Sequence, residues 1–175
     1  MSSNSDPNRP AALCEFQDNL SILRQIAFFS GFPLELLKVF AYLCTREMFK
    51  PGQAIFNQGD DDGRCYFIIS GSAELIHKEN GGEQMIKTFG QGTFLGILAL
   101  LGSMPRHFSL RAAEQTTCLV ITRNKFSKAA ERFPEIMPKL IRIIVNHISM
   151  WEKRAIHSRS ENEGSRNHLL GISVL

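Results

Sequence analysis

Short segments between Thr45 and Thr122, most of them rich in β-branched and aromatic residues, constrain this chain more than any other feature. Turn-forming stretches separate them, among them Pro51-Gly52, the acidic turn Gly59–Gly63 and Asn80-Gly81. Asn80-Gly81 favours a hairpin because both residues tolerate positive φ. Such a series of short strands predicts an antiparallel roll or barrel. The predicted strands are residues 45–50, 53–57, 64–70, 73–78, 83–89, 107–113 and 117–122.

Helical patterns flank this β-rich region on both sides. Apolar residues recur at helical spacing in residues 13–30, and Pro33 then opens a second helix over residues 34–44. After the strands we expect a hinge helix, Asn124–Arg132, and a long helix over residues 134–156. The predicted organisation is a disordered tail (1–12), one domain (13–157) and a flexible tail (158–175). Within the domain we expect N-terminal helices (13–44), a β-roll (45–122) and C-terminal helices (123–157).

Composition excludes several classes of protein. No apolar run approaches the ~20 residues of a membrane helix, and the first ten residues lack the apolar stretch of a secretion signal. The four cysteines form no Cys-x-x-Cys pair, which disfavours a zinc or iron–sulfur site and favours buried, reduced thiols in a cytoplasmic protein. The net charge of +3 comes mostly from basic residues in the C-terminal third of the chain. These residues indicate a solvated helical face rather than a nucleic-acid surface.

Residues 94–112 carry the pattern of an anion-binding segment. Gly96 permits a tight turn, and Leu98-Ala99-Leu100 can form one helical turn whose N–H groups face an anion. Pro105 then precedes Arg106, whose guanidinium can bind a phosphate through two parallel hydrogen bonds. Together these residues predict a site for a phosphate or a similar group.

This segment resembles the phosphate-binding cassette of cyclic nucleotide-binding domains, which reads Phe-Gly-Glu-x-Ala-Leu, a spacer, then Pro-Arg-small-Ala-Ser/Thr. Two further motifs are similar to the family in the same register, Phe49–Asp60 and Tyr66–Leu75, and Phe28–Leu37 is similar to its entry helix. The likeness covers roughly residues 20–150. It implies a mainly β fold, an eight-stranded antiparallel, jelly-roll-like β-roll with N-terminal helices and a C-terminal hinge and long helix.

The resemblance implies cAMP or cGMP as a ligand, with no further cofactor, but two positions depart from the family pattern. The family's ribose-binding Glu falls on Ile97, and its small residue after the arginine falls on His107. Loss of a hydrogen bond to a charged acceptor costs about 1.5–3 kcal/mol, roughly ten- to a hundredfold in affinity. Two alternatives stay open: weakened nucleotide binding, or an apolar-filled cassette with Arg106 turned toward a carboxylate. The predicted ligand-binding set is Gly96, Ile97, Leu98, Ala99, Arg106, His107 and Ser109.

Neither catalysis nor metal binding is predicted. His77 and His107 lack nucleophiles at a recognisable catalytic spacing, and Asp60, Asp61 and Asp62 lack the alternating ligands of a calcium loop, which indicates a solvated turn. Many bacterial members of the family carry a DNA-binding helix-turn-helix after the roll, and about 18 residues from Ser158 onward are too few for that module. We therefore expect a stand-alone sensor or regulatory module without nucleic-acid or membrane partners. The alternative is a nucleotide-free interaction domain.

The long last helix is the expected output element toward an unknown protein partner. Apolar residues recur along it at alternating spacings of four and three, which predicts an apolar seam, a stripe that packs against a partner helix. A broad face buried on its own domain is the other interpretation, and the parallel helix pair of family dimers implies a homodimer. The seam consists of Met137, Ile141, Ile144, Ile148, Trp151 and Ala155.

Overall fold

The computed structural model describes residues 9–79 and 81–161, which fall into two compact units divided between Cys44 and Thr45. The first unit contains helix α1 (Arg9–Gln25), a 3₁₀ turn (Ala27–Phe29) and helix α2 (Leu34–Leu43). α1 thus begins inside the segment 1–12 that we expected to be disordered, because Pro10 is tolerated in a first helical turn. It also ends before Ser30, where a 3₁₀ turn replaces the predicted last helical turn.

Aromatic packing holds the first unit together. The ring centroids of Phe28 and Phe29 lie 5.0 Å apart at nearly right angles, and Phe29 packs against Phe40 of α2 at 5.7 Å. Such edge-to-face pairs are favourable beyond the apolar area they bury. The Asn19 side chain of α1 donates to the carbonyl of Ala41, 3.3 Å away, and satisfies a buried polar group.

Within the residues that the structure describes, the second unit contains eight antiparallel strands, which confirms the predicted roll. Two four-stranded sheets have the strand orders β1-β8-β3-β6 and β2-β7-β4-β5. The strands are β1 (Thr45–Phe49), β2 (Ala54–Phe56), β3 (Arg64–Ser70), β4 (Ser72–Glu79), β5 (Gly82–Gly90), β6 (Phe94–Leu95), β7 (Ser109–Ala112) and β8 (Thr116–Thr122). β6 is not predictable from the sequence, because two residues show no periodicity.

Residues of both sheets contribute to one apolar core. Leu75 of β4 stands opposite Leu110 of β7, and both side chains are fully buried. Val120 of β8 pairs with Tyr66 of β3 and is buried with it. Four successive residues of β8, from Cys118 to Ile121, are buried, so both faces of this strand are covered.

Helices α3 (Leu98–Leu101), α4 (Arg123–Arg132) and α5 (Met137–Glu161) complete this unit. Thr122 caps α4 by accepting a hydrogen bond from the Lys125 amide. A 3₁₀ turn, Pro134–Ile136, precedes α5, so the long helix starts later than residue 134. It also continues to Glu161, inside the segment 158–175 that we expected to be flexible; residues 162–175 lie outside the described part of the chain.

Candidate functional site

The site is built around the turn between β6 and α3. Gly96 adopts a φ of +82°, a conformation that L side chains rarely take. A Cβ atom at this position would lie 2.6 Å from Nη1 of Arg106 and 3.1 Å from the carbonyl oxygen of Arg64. Glycine is therefore required both for the turn and for the close approach of Arg106.

The backbone of Arg106 is fixed to the acidic turn between β2 and β3. Its N–H donates to the carbonyl of Asp60 and its carbonyl accepts from the N–H of Gly59, each at 2.8 Å. This pairing precedes β7, so the strand begins at Ser109 and not at His107 as predicted from the sequence. The acidic turn and the cassette consequently form one substructure.

The Arg106 side chain is 1% exposed and is paired inside the protein. Its Nε and Nη2 donate to Oδ1 of Asp62 at 3.1 and 2.7 Å, and Nη2 also donates to the carbonyl of Arg64. The guanidinium carbon lies 4.3 Å from the centre of the Phe56 ring, a cation–π contact. Two of the three guanidinium nitrogens are thus bound by groups of this domain.

Nη1 is the remaining nitrogen of this guanidinium. It is buried and has no hydrogen-bond partner among the residues that the structure describes. Arg106 lines a pocket of about 10 Å³, room for about one water molecule. The pocket is lined by Phe56, Leu75, Leu95, Gly96, Arg106, His107 and Phe108.

Tyr66 completes the arrangement around Asp62. Its hydroxyl donates to Oδ2 of Asp62 at 2.8 Å. Burial and the neighbouring Asp62 carboxylate together raise the pKa of Tyr66 well above its usual value, because both disfavour a phenolate. Asp62 therefore accepts hydrogen bonds from Arg106 and from a neutral tyrosine.

The predicted ligand-binding residues do not all reach the pocket. Gly96, Arg106 and His107 line it, and the His107 side chain is exposed. Ile97 is only 6% exposed, so an apolar side chain occupies the position of the family's ribose-binding glutamate. Leu98, Ala99 and Ser109 are not among its lining residues.

Ser109 is engaged elsewhere in the domain. Its hydroxyl oxygen accepts from the backbone N–H of Gln58 at 2.9 Å. The Gln58 side chain in turn bonds both the N–H and the carbonyl of Lys78. Ser109 and Gln58 therefore tie the acidic turn to the sheet.

A second arginine binds the same turn. Both carboxylate oxygens of Asp61 accept from the Arg123 guanidinium, and Oδ2 also accepts from the Ser103 hydroxyl at 2.6 Å. These donors lower the pKa of Asp61 well below its usual value, the Arg123 hydrogen bond being the largest cause and the Ser103 bond the next. The Nε of Arg123 donates to the Ala99 carbonyl of α3 at 2.7 Å.

Sequence reasoning missed Asp61, Asp62 and Arg123 as site residues. We interpreted the acidic turn as solvated, whereas two of its carboxylates bind arginines. The available signal was the run of three adjacent acids in a chain with two later arginines at strand boundaries. Within the described residues, no group of three His, Cys, Asp or Glu side chains is arranged to hold a metal ion.

The predicted seam on α5 is partly exposed where its side chains are described. Met137 and Ile141 are 42% and 58% exposed, and Ile144 and Ile148 are half-buried. The side chains of Trp151 and Ala155 lie outside the described part of the structure. Leu140 is fully buried, so α5 has one inward and one outward apolar face. None of the helices described is long and apolar enough to cross a membrane.

Comparison with known proteins decides the family. The sequence profile of the cyclic nucleotide-binding domain matches residues 46–133, about half of the chain, and spans the strands and the cassette. The chain belongs to the cyclic nucleotide-binding domain family. This is a regulatory fold, and it is generally non-enzymatic.

Curated relatives of this cyclic nucleotide-binding domain are much longer proteins. A lysophospholipase NTE1 of Chaetomium globosum is 28% identical over 129 residues, 73% of this chain but 8% of the relative. A cAMP-dependent protein kinase regulatory subunit of Mucor circinelloides f. lusitanicus is 32% identical over 80 residues, 46% of this chain and 19% of the relative. The chain thus spans less than a fifth of either protein.

Solved structures show the same fold. A cyclic nucleotide-binding-like protein from Brucella abortus matches 65% of this chain and 98% of its own length, with 28% identity and a TM-score of 0.60. The catabolite activator protein of Thermus thermophilus matches 73% of this chain and 60% of its own length, with 25% identity and a TM-score of 0.61. The domain is therefore related to protein kinase A regulatory subunits and to catabolite activator proteins.

Proposed function

We propose that this domain is a non-enzymatic regulatory module whose cassette does not hold cAMP or cGMP with the family's contacts, and which signals through its C-terminal helices to a protein partner. The buried Arg106–Asp62 pair is the observation that carries the proposal. This arrangement favours the second of the two alternatives that the sequence left open, in which Arg106 faces a carboxylate. The weakened nucleotide sensor is the competing proposal.

Three features of the site lower the affinity expected for a cyclic nucleotide. The buried Ile97 offers no acceptor to a ribose hydroxyl, a loss of about 1.5–3 kcal/mol. Asp62 and the Arg64 carbonyl occupy Nε and Nη2, which leaves only Nη1 of Arg106 to a phosphate. The pocket also has room for about one water molecule, much less than a cyclic nucleotide occupies.

The fold itself does not decide the ligand. The regulatory domain of Toxoplasma gondii protein kinase A, solved with cAMP, matches this chain with a TM-score of 0.64 and 22% identity. The regulatory subunit of a cAMP-independent protein kinase A from Trypanosoma brucei matches it with a TM-score of 0.59 and 21% identity. Because the same roll serves both proteins, the proposal depends on the residues of the site.

Isothermal titration calorimetry with cAMP and with cGMP tests the ligand proposal. We expect no binding to the wild-type protein at micromolar concentrations, and a gain in affinity in an Ile97→Glu/Phe108→Ala variant, which restores the ribose acceptor and opens the pocket. Adding Arg106→Ala to that variant should abolish the gain. Micromolar binding by the wild type that Arg106→Ala removes would overturn the proposal. Circular dichroism must show that each variant is folded.

For the output we propose a homodimer through the outward face of α5. The exposed Met137 and Ile141 support it, since they belong to the seam with alternating spacings of four and three. The seam would continue through Ile144 and Ile148. The buried thiols of Cys44, Cys65 and Cys118 support a reducing, cytoplasmic location. Cys14 is exposed, contrary to our expectation of buried cysteines.

Light scattering tests the dimer. Ile141→Asp places a charge on the seam and should convert the dimer to a monomer with an unchanged circular dichroism spectrum. Asn146→Asp is the matched control, because Asn146 is exposed on the same helix but lies off the seam. A wild-type protein that is monomeric at high micromolar concentration would contradict the proposal.

A further inference from the structure

Arg123, the first residue of α4, contacts two separate parts of the roll unit. Its backbone N–H donates to the carbonyl of Gly63 at 2.6 Å, and its guanidinium binds Asp61 of the acidic turn. Its Nε donates to the carbonyl of Ala99 at 2.7 Å. The start of α4 is thus bonded both to the acidic turn and to the cassette helix α3.

The bond to Ala99 satisfies a group that α3 itself cannot satisfy. α3 has only four residues, so its carbonyls have no partners within the helix at its C-terminal end. A cationic side chain at that end donates a hydrogen bond to a free carbonyl and also offsets the negative end of the helix dipole. Arg123 therefore caps the cassette helix from outside.

Local helix preferences do not explain an arginine at the start of α4. A cation at a helix N-terminus opposes the helix dipole, and the first turn of α4 holds no acidic residue. Asp61 supplies the missing negative charge from the acidic turn. The packing around Arg123 is also close, since a Cβ added to Gly63 would lie 3.2 Å from its guanidinium carbon. The position of Arg123 follows from its tertiary contacts.

The two arginines of the site share one loop. Asp62 binds the cassette arginine, Arg106, and its chain neighbour Asp61 binds Arg123. Asp61 and Asp62 are joined by a single peptide unit, so the carboxylates that bind the two arginines are covalent neighbours. Because Arg123 begins α4, the acidic turn connects the cassette arginine with the start of the hinge helix.

We infer that Arg123 is a positioning residue that couples the cassette helix α3 to the hinge helix α4, with Asp61 holding its guanidinium in place. The coupling consists of contacts within the domain and requires no ligand. Its test is therefore independent of the proposed function, and either can fail alone.

Hydrogen–deuterium exchange of the full chain measures this coupling in two segments, residues 96–105 around α3 and residues 123–132 of α4. In Arg123→Gln we expect faster exchange in both segments, by about tenfold, because a bond from a charged donor is lost at each. Asp61→Asn should give a smaller acceleration of both, about two- to fivefold, as is usual for a half-exposed ion pair. The double variant should exchange no faster than Arg123→Gln alone.

Three control variants separate coupling from general destabilisation. Glu83→Gln breaks a comparably exposed arginine pair, with Arg111, and should leave both segments unchanged. Ser103→Ala removes the hydrogen bond from the Ser103 hydroxyl to Asp61 and should leave α4 unchanged. Arg123→Lys should leave exchange in α4 at the wild-type rate, because an ammonium still pairs with Asp61. Exchange in α3 should be accelerated, because lysine lacks the planar guanidinium that also reaches Ala99.

The inference is overturned if Arg123→Gln accelerates exchange in residues 123–132 alone, since Arg123 would then serve only α4. It is also overturned if Glu83→Gln produces the same pattern, or if Arg123→Lys restores both segments. Should Arg123→Gln fail to fold, the same comparison is made with Asp61→Asn, which retains the Ala99 bond.

Discussion

The Asp62→Asn substitution gives the sharpest test of how Arg106 is held. Asparagine keeps the shape of Asp62 and one accepting oxygen, but it leaves the guanidinium of Arg106, 1% exposed, without a counter-charge. Breaking a buried ion pair by removing one partner costs about 3–5 kcal/mol. Because Asp62 is 17% exposed and the amide oxygen still accepts, we expect the free energy of unfolding to fall by about 2–3 kcal/mol.

Urea denaturation followed by circular dichroism measures this loss, with an unchanged slope showing that only stability has changed. Glu83→Gln is the control, since Glu83 is 45% exposed and pairs at the surface; it should cost less than about 1 kcal/mol. Replacing both partners, in Asp62→Leu/Arg106→Met, should recover most of the loss because no buried charge remains. If Asp62→Asn matches wild type within 0.5 kcal/mol, the Arg106–Asp62 pair does not hold the cassette.

Two further predictions concern the backbone and the thiols. Gly96→Ala should lower the free energy of unfolding by about 2–4 kcal/mol, because the φ of Gly96 is +82° and the added Cβ would lie 2.6 Å from Nη1 of Arg106. Gly90 has open space around it, so Gly90→Ala should cost under about 1 kcal/mol in the same urea assay. Burial raises the pKa of Cys118 to about 12, so this thiol ionises at lower pH in the unfolded chain than in the folded protein. The free energy of unfolding should therefore fall as pH rises from about 9 toward 12, as measured by urea denaturation at each pH. At pH 8, native protein should react with a thiol reagent at the exposed Cys14, and Cys118 should react only after unfolding; a rapid native reaction at Cys118 would contradict its burial.

The parts of the fold that depend on local sequence were predictable. The motifs from Phe49 to Asp60 and from Tyr66 to Leu75 predicted the strands in register, and Gly96 predicted the turn before α3. β6 was missed because its two residues are defined by pairing with Tyr66 and Phe67, not by a pattern of their own. The strand predicted from His107 starts two residues later, because the preceding backbone pairs with the acidic turn.

The partners of the charged residues could not be predicted. Asp62 and Arg106 lie 44 positions apart, and Asp61 and Arg123 lie 62 apart. Each acid is one of three neighbours that look equivalent in the sequence, and only the fold decides which carboxylate meets which arginine. Burial of Ile97 was easier to anticipate, since its side chain has no polar group to solvate.

The exposed strand β5 bears on the association between copies of this protein. It is a nine-residue strand at the edge of its sheet, and its first four residues are exposed on both faces. A long open edge invites intermolecular strand pairing and aggregation. Charged Glu83 and Lys87 lie along this edge, and Glu83 is held there by Lys78 and Arg111. We therefore expect that neutralising Glu83 and Lys87 together lowers the solubility of the folded protein, although both residues lie outside the cassette.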